Sequence, residues 1–407
     1  MSDKSAITGN SGPKVRSDCE VTLEIRQLGG IEIHLRSKVG VLYGDSIKKL
    51  CLDILSFFGI NDAFLKIEDS GALSFVISAR LEAAIKQLIE TNQDYLPDFI
   101  EDNRYSTESD RFRFSRLYLP GNTPSIMINA GLHSADGIIL DLEDSVAPER
   151  KDEARILVRN ALRQVNFYGA ERMVRINQGE RGLRDLDQII PQNVNLVLVP
   201  KCESPETIND VEKKVQEIRS EHHLTNPVWL MPIIESALGV EKAFEIASSS
   251  GNVVAMAIGL EDLTSDIGVQ RTKEGIESLY SRTRLIIAAK AAGIQPIDSV
   301  FSDVEDIEGL LNNVLMSKSM GFEGMGCIHP RQIPVIRKGF APVTDEIEKS
   351  KKIVTAYEDA RQKGLGVVAQ GSKMIDPPVV ARAQKTINLA VRLGLIPENW
   401  MKEVSGE

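Results

Sequence analysis

Gly137-Ile138-Ile139-Leu140-Asp141-Leu142-Glu143-Asp144 is a short apolar run that ends in carboxylates. A run with no polar face predicts a strand covered on both sides, as strands of a parallel sheet are. Outward from it, similar runs recur at 115–119, 172–176, 196–200, 228–234, 253–258, 295–297 and 324–328, with helical stretches between them. With 137–142 they make eight βα units, which predicts a TIM (β/α)8 barrel of class α/β.

The charges follow the same rhythm. Asp141, Glu143 and Asp144 close the second run, and Arg175, Lys201 and Glu235 lie in or just after the third, fourth and fifth. Glu261 and Asp262 follow the sixth, Asp298 the seventh and His329 the eighth. C-terminal strand ends of a βα barrel converge on one mouth, so the pattern gathers acids, an Arg, a Lys and a His around one cavity. One such acid need only be a helix N-terminal residue. A crowd of them repels itself unless a cation sits among them. Oxygen ligands alone suit Mg²⁺, and no His or Cys spacing argues for zinc. Glu235 and Asp262, from neighbouring strands, can meet over one ion, as can other pairs in the ring. No Gly-x-Gly-x-x-Gly, Walker or Gly-x-Ser-x-Gly sequence is present.

The 407 residues are 42% hydrophobic and 26% charged, which fits a soluble globular chain. With 48 Lys plus Arg against 58 Asp plus Glu, the net charge of −10 argues against a nucleic-acid partner. No apolar run nears the ~20 residues that span a bilayer, and the N-terminus has no signal-peptide core. Cys19, Cys51, Cys202 and Cys327 are scattered, which predicts free thiols in a cytoplasmic protein.

Before the barrel, residues 1–97 read as a small α+β domain. Val21, Leu23 and Ile25 alternate with polar residues, as do Ile31, Ile33 and Leu35, which predicts two strands about a Gly29-Gly30 turn. A helix capped by Asp45 ends at Gly59, a hairpin turns at Asp69-Ser70-Gly71 with its second strand at 73–77, and a helix runs over 79–89. The first fifteen or so residues are expected to be mobile. Polar, aperiodic 98–112 is expected to be a linker, 113–345 the barrel and 346–407 a C-terminal helical segment.

Ser115-Arg116-Leu117-Tyr118-Leu119-Pro120-Gly121-Asn122, Leu140-Asp141-Leu142-Glu143-Asp144-Ser145-Val146, Val174-Arg175-Ile176-Asn177, Pro200-Lys201, Ile234-Glu235-Ser236, Gly259-Leu260-Glu261-Asp262-Leu263, Cys327-Ile328-His329-Pro330 and Met374-Ile375-Asp376-Pro377 occur in this order. Over residues 113–390 this resembles the citrate lyase beta subunit, of the HpcH/HpaI aldolase/citrate lyase family, which also holds malyl-CoA and citramalyl-CoA lyases. Tyr43-Gly44-Asp45-Ser46-Ile47, Asp69-Ser70-Gly71-Ala72-Leu73 and Ala79-Arg80-Leu81-Glu82-Ala83 are similar to the citrate lyase acyl carrier (gamma) subunit.

The resemblance implies a reverse Claisen-type lyase that splits a citryl thioester on an acyl carrier into oxaloacetate and an acetyl thioester. It implies Mg²⁺ on Glu235 and Asp262, Arg175 binding substrate and stabilising an enolate, and Asp376 as general acid/base on a C-terminal lid that reaches a neighbouring subunit. Arg116 and Lys201 are candidate substrate ligands or structural ion-pair partners, and Glu143 and Asp144 candidates to hold metal-bound water. A homo-oligomer (trimer or hexamer) and a citrate lyase alpha subunit are the implied partners. The carrier family bears a phosphoribosyl-dephospho-CoA group on a serine in a Ser-Gly-Asp context. Here Arg16-Ser17-Asp18 lacks the glycine, and an ungapped register puts Asp18 at the serine unless one residue is inserted. Ser17 is the candidate attachment point, Ser11 its competitor, and 98–112 the hinge for the arm. Two other readings stand beside this one: a lyase for a free CoA ester that keeps the small domain only for docking, and a non-catalytic scaffold of a lyase complex.

Overall fold

The computed structural model describes residues 5–362, 368–370 and 373–401, with backbone alone for 368–370, 373 and 374. The chain forms two compact units, Met1–Ile333 and Pro334–Glu407.

The first unit opens with β1 (Ser5–Gly9), β2 (Cys19–Ile25), β3 (Ile31–Ser37), α1 (Gly40–Phe57), β4 (Ala63–Asp69) and α2 (Ser74–Leu88). The sheet order is β1-β2-β4-β3. Asp45 lies inside α1 rather than at its cap, since the helix starts at Gly40, and three further expectations change here. Residues 5–9 are not loose: they pair antiparallel with β2, Ser5 opposite Glu24 through Gly9 opposite Glu20. Gly29 and Gly30 do turn the chain, both at positive φ, but β4 inserts between β2 and β3 and runs parallel to β3. The stretch 73–77 is the start of helix α2, not a hairpin strand. Residues Phe75 to Ile85 of α2 are all buried, and a helix covered on two sides carries apolar residues at every spacing, so a period of two fits it by chance.

The barrel follows as β5 (Ser115–Pro120), α3 (Pro124–Met127), β6 (Gly137–Asp141), α4 (Lys151–Gln164), β7 (Glu171–Arg175), α5 (Gly179–Ile189), β8 (Leu196–Val199) and α6 (Pro205–Glu221). It continues as β9 (Trp229–Ile234), α7 (Ala237–Glu241), α8 (Ala243–Ala247), β10 (Ala255–Ile258), α9 (Leu260–Asp266), α10 (Leu279–Ala291), β11 (Gln295–Ile297), α11 (Ile307–Met320) and β12 (Met325–Cys327). These eight strands form one sheet, ordered β11-β10-β9-β8-β7-β6-β5-β12. The ends close through a parallel bridge from Asp298 to Met325 and the Asp298 N–H on the Gly324 carbonyl at 2.8 Å. Ile139, Met173, Leu198, Met231, Ile233, Ala257 and Ile297 fill the interior as one buried cluster. All four cysteines are free and buried.

Segment 98–112 is packed rather than slack. Ile100 N–H donates to the Arg163 carbonyl at 3.0 Å, and buried Asn103 donates to the carbonyls of Leu162 and Val165 at 3.0 and 2.7 Å. The Arg172 guanidinium lies 4.0 Å from the Tyr105 ring centre. Each contact fixes the segment to the barrel, so the expected hinge does not fit its packing.

In the second unit, α12 (Ile333–Phe340) leads to α13 (Thr344–Gln362), β13 (Val368–Gln370), β14 (Lys373–Ile375) and α14 (Pro377–Arg392). Its core is Ile347, Val354, Ala383, Ile387, Ala390 and Trp400. Among the described residues no helix is long and apolar enough to cross a membrane.

Candidate active site

A cavity of about 360 Å³ opens at the C-terminal ends of the barrel strands, within the roughly 300–1,000 Å³ typical of small-ligand sites. Arg116, Arg175, Asp141, Glu235, Glu261, Asp262 and Asp298 all line it. Of the ten strand-end charges read from the sequence, six line it and Glu143, Asp144, Lys201 and His329 do not; the lining acids divide into two kinds.

Three of them are already matched to an arginine. Asp141 receives Arg175 Nε at 2.6 Å and Nη2 at 2.7 Å in a bidentate fork. That pairing outweighs burial and holds the Asp141 carboxyl below the usual range, while the Arg175 guanidinium is pushed higher. Asp298 pairs with buried Arg282, and Glu261 meets Arg271 at 2.6 Å. These pairs account for their own charge.

Among the described residues no arginine is ion-paired with Glu235 or Asp262, although the Arg175 charge reaches Glu235. The Asp262 carboxyl lies within hydrogen-bonding reach of Glu235. Burial, joined by Asp262, pushes the Glu235 carboxyl up to about 8, although the Lys201 N–H on it works the other way. That N–H donates to Glu235 Oε1 at 2.9 Å. Lys201 is at φ +46, a left-handed conformation that a non-glycine residue adopts at a cost, and this conformation accompanies the amide's contact with the carboxylate. Its ammonium stands 3.5, 3.6 and 3.8 Å from Glu143, Asp144 and Asp262. Burial alone would lower the Lys201 pKa, and these acids raise it instead.

The pairing selects among metal ligands where spacing did not: the two acids that meet without an arginine ion pair are Glu235 and Asp262. Among the described residues no group of three or more His, Cys, Asp or Glu side chains could hold a metal ion. Two carboxylates suit Mg²⁺, which keeps several waters and takes the rest of its shell from substrate.

Glu143 sits behind the pair. It accepts from Gln178 Nε2 at 2.9 Å and meets Arg175 Nη1 at 3.1 Å; burial, then Asp144, raises its pKa. His329 turns away from this chemistry: its Nδ1 accepts the Arg331 N–H at 3.2 Å and it does not line the cavity. Ser17 is half-buried at φ +54, its N–H on the Ser70 carbonyl at 3.1 Å. Ser11 is exposed, with its hydroxyl on Glu20 at 3.0 Å. Asp376 belongs to the second unit, where Oδ1 accepts the Val379 N–H at 3.1 Å and caps α14.

Two residues were missed. The Tyr118 ring faces Arg175, 5.4 Å from its guanidinium carbon; the inward alternation Arg116, Tyr118, Pro120 along β5 was the available signal. At Gly259 an added Cβ would lie 2.5 Å from Glu235 Oε2, so this glycine makes room for the carboxylate. It stood inside a quoted motif, but only the fold shows what it touches.

The HpcH/HpaI aldolase/citrate lyase family model matches residues 115–330. This chain belongs to that family. A second family model, described as malonate decarboxylase delta subunit, matches residues 4–88. The citrate lyase subunit beta of Leuconostoc mesenteroides subsp. cremoris is 37% identical over 287 residues, 69% of this chain and 94% of that protein. The mitochondrial citramalyl-CoA lyase of Homo sapiens is 32% identical over 289 residues, 68% of this chain and 85% of that one. CitE from Mycobacterium tuberculosis, solved in complex with magnesium, acetoacetate and coenzyme A, superposes with a TM-score of 0.57 at 28% identity, covering 69% of this chain and 98% of its own. The HpcH/HpaI chain described here is therefore a lyase-family enzyme with an acyl-carrier-like N-terminal domain. A non-catalytic scaffold does not fit that membership.

Proposed function

We propose that this chain catalyses the Mg²⁺-dependent, reverse Claisen-type cleavage of a citryl thioester to oxaloacetate and an acetyl thioester. The supporting observation is the division of the mouth's acids, which leaves Glu235 and Asp262 together without an arginine ion pair of their own beside the forked Arg175–Asp141 pair. The magnesium in complexes of the M. tuberculosis relative agrees with it. Bound there, Mg²⁺ supplies Lewis-acid charge to hydroxyl and carboxylate oxygens.

The chain's own residues do the rest. As the C–C bond breaks, Asp376 of a neighbouring subunit takes the hydroxyl proton as general base, and the bond electrons move into the thioester carbonyl. Arg175, which cannot lose its charge at working pH, meets the enolate oxygen, and Asp141 fixes its orientation. Lys201 and Arg116 supply further positive charge for substrate carboxylates. The neighbouring subunit's Asp376 then returns that proton to the enolate carbon as general acid.

The thioester arm is a CoA-derived group on Ser17, loaded by an alpha-type acyl transferase. Arg80 Nη2 donates to the Asn122 carbonyl just after β5, and Arg150 Nη2 donates to the Gly9 carbonyl. The small domain thus meets loops on the mouth side of the barrel, and an arm starting there needs no domain swing. Exposed Leu279, Tyr280, Ile287 and Leu315 on α10 and α11 offer apolar surface for a homo-oligomer. A second reading, cleavage of a free CoA ester, is favoured by the half-buried, left-handed Ser17.

Intact-mass and peptide mapping of protein from its native host separates the two. A CoA-derived adduct at Ser17 supports the carrier-bound substrate. An unmodified chain that turns over free citramalyl-CoA or citryl-CoA establishes the second reading. Glu235→Ala removes Mg²⁺ binding and turnover in either case; a variant that keeps both would overturn the metal assignment.

A further inference from the structure

Arg116 is the second residue of β5, and its side chain points into the barrel below Tyr118. It is 1% exposed yet lines the cavity. Its Nε has no hydrogen-bond partner, and Nη1 meets only the Met231 thioether sulfur at 3.0 Å, a weak acceptor. No carboxylate pairs with it among the described residues. The acid whose charge reaches it, Glu171, is already held by Arg113, and the cavity acids Asp141, Asp298 and Glu235 are engaged by Arg175, Arg282 and the Lys201 N–H. A guanidinium stays charged in proteins, and a buried charge without a partner is costly to keep. Every other fully buried arginine in the barrel wall has a structural partner: Arg113 on Glu171, Arg159 on Glu82, Arg172 on the Asn193 and Tyr105 carbonyls.

We propose that Arg116 is a carboxylate receptor on the cavity floor, and that it selects substrates whose keto-acid half is a dicarboxylate. This rests on the lyase reading of the same site. One end of the keto acid is held at the Glu235 and Asp262 rim, and the far carboxylate reaches down to the unpaired guanidinium. A monocarboxylic keto acid leaves Arg116 unpaired, so the site discriminates against it.

The test is calorimetric titration of oxaloacetate and pyruvate into the full chain with saturating Mg²⁺, for wild type and Arg116→Met. Wild type is expected to bind oxaloacetate at least ~30-fold more tightly than pyruvate, the lower end of what a buried charge pair is worth. Arg116→Met is expected to erase that ratio, leave pyruvate affinity unchanged, and melt no lower than wild type without ligand, because it removes an uncompensated charge. Arg116→Lys, which keeps the charge but not the fork, is expected to fall between. Equal wild-type affinities for the two acids, or a ratio that survives in Arg116→Met, overturn the assignment and leave the lyase reading standing. Wild type binding neither acid in the presence of Mg²⁺ overturns both.

Discussion

Glu235 directly follows β9, with the Lys201 N–H on one carboxyl oxygen and, beside the other, the space that Gly259 leaves by having no Cβ. Burial and Asp262 push that carboxyl up to about 8. The sign of the consequence follows from which state holds the proton. Between about pH 4.5, where an exposed glutamate ionises, and about pH 8, the folded chain keeps a proton that the unfolded chain has released. Stability of the metal-free protein therefore falls as pH rises through that window and levels off above it. A divalent cation needs the carboxylate, so it displaces this proton on binding. Mg²⁺ affinity measured by titration calorimetry is expected to climb about tenfold per pH unit from about pH 6 and to flatten above about pH 8. Glu235→Gln is expected to lose the affinity and, in the metal-free protein, the pH slope of stability. A flat affinity profile in wild type would show that Glu235 is not the ligand that titrates.

At the scale of the element, α14 is defined at its start by Asp376, whose carboxylate accepts the Val379 N–H ahead of Pro377 and Pro378. The cap and the proposed acid are the same side chain, and one substitution separates them. Asn also caps helices well but cannot deliver a proton. Asp376→Asn is expected to melt like wild type and lose ~10²–10⁴ in turnover, whereas Asp376→Ala also gives up ~1 kcal/mol of helix stability. Wild-type turnover in Asp376→Asn would leave the residue as a cap alone. Elements were the most legible level of this sequence. The eight barrel strands lie where the apolar runs are, because a strand buried on both faces has no other pattern. Six of the ten strand-end charges were legible as cavity-lining for the same reason: strand ends must converge. What could not be read was which acids are already neutralised. Arg282 and Arg271 reach Asp298 and Glu261 from α10 and a loop, and no period in the sequence ties an arginine to an acid 16 or 10 residues away. The start of α2 was misread because its residues are buried all round and carry no amphipathic signal.

The whole first unit turns on how the small domain meets the barrel. Arg80 of α2 grips Asp18 through Nε and Nη2, each at 3.0 Å, and meets Glu153 of α4 at 3.4 Å. Arg159 of α4 returns the grip on Glu82 of α2 at 2.9 and 2.6 Å. Asn160 Nδ2 adds a bond to the Phe75 carbonyl at 3.2 Å. All five charged side chains are almost fully buried. Removing one member of such a pair leaves its partner charged and dry, at a cost of ~3–5 kcal/mol. Separating the domains in a carrier-like swing would break Arg80–Glu153 and Arg159–Glu82, while Arg80–Asp18 stays within the small domain, so the sheet β1-β2-β4-β3 and the barrel are expected to open as one cooperative unit. Native-state hydrogen exchange reads this directly. In wild type the slowest amides of β4 and β6 are expected to share one opening free energy. In Arg159→Met, β4 is expected to lose protection by ~3–5 kcal/mol while β6 loses little, since the barrel keeps its own closure. If β4 in wild type already opens well below β6, the small domain undocks on its own, and the buried pairs do not hold it as an immobile wall of the site.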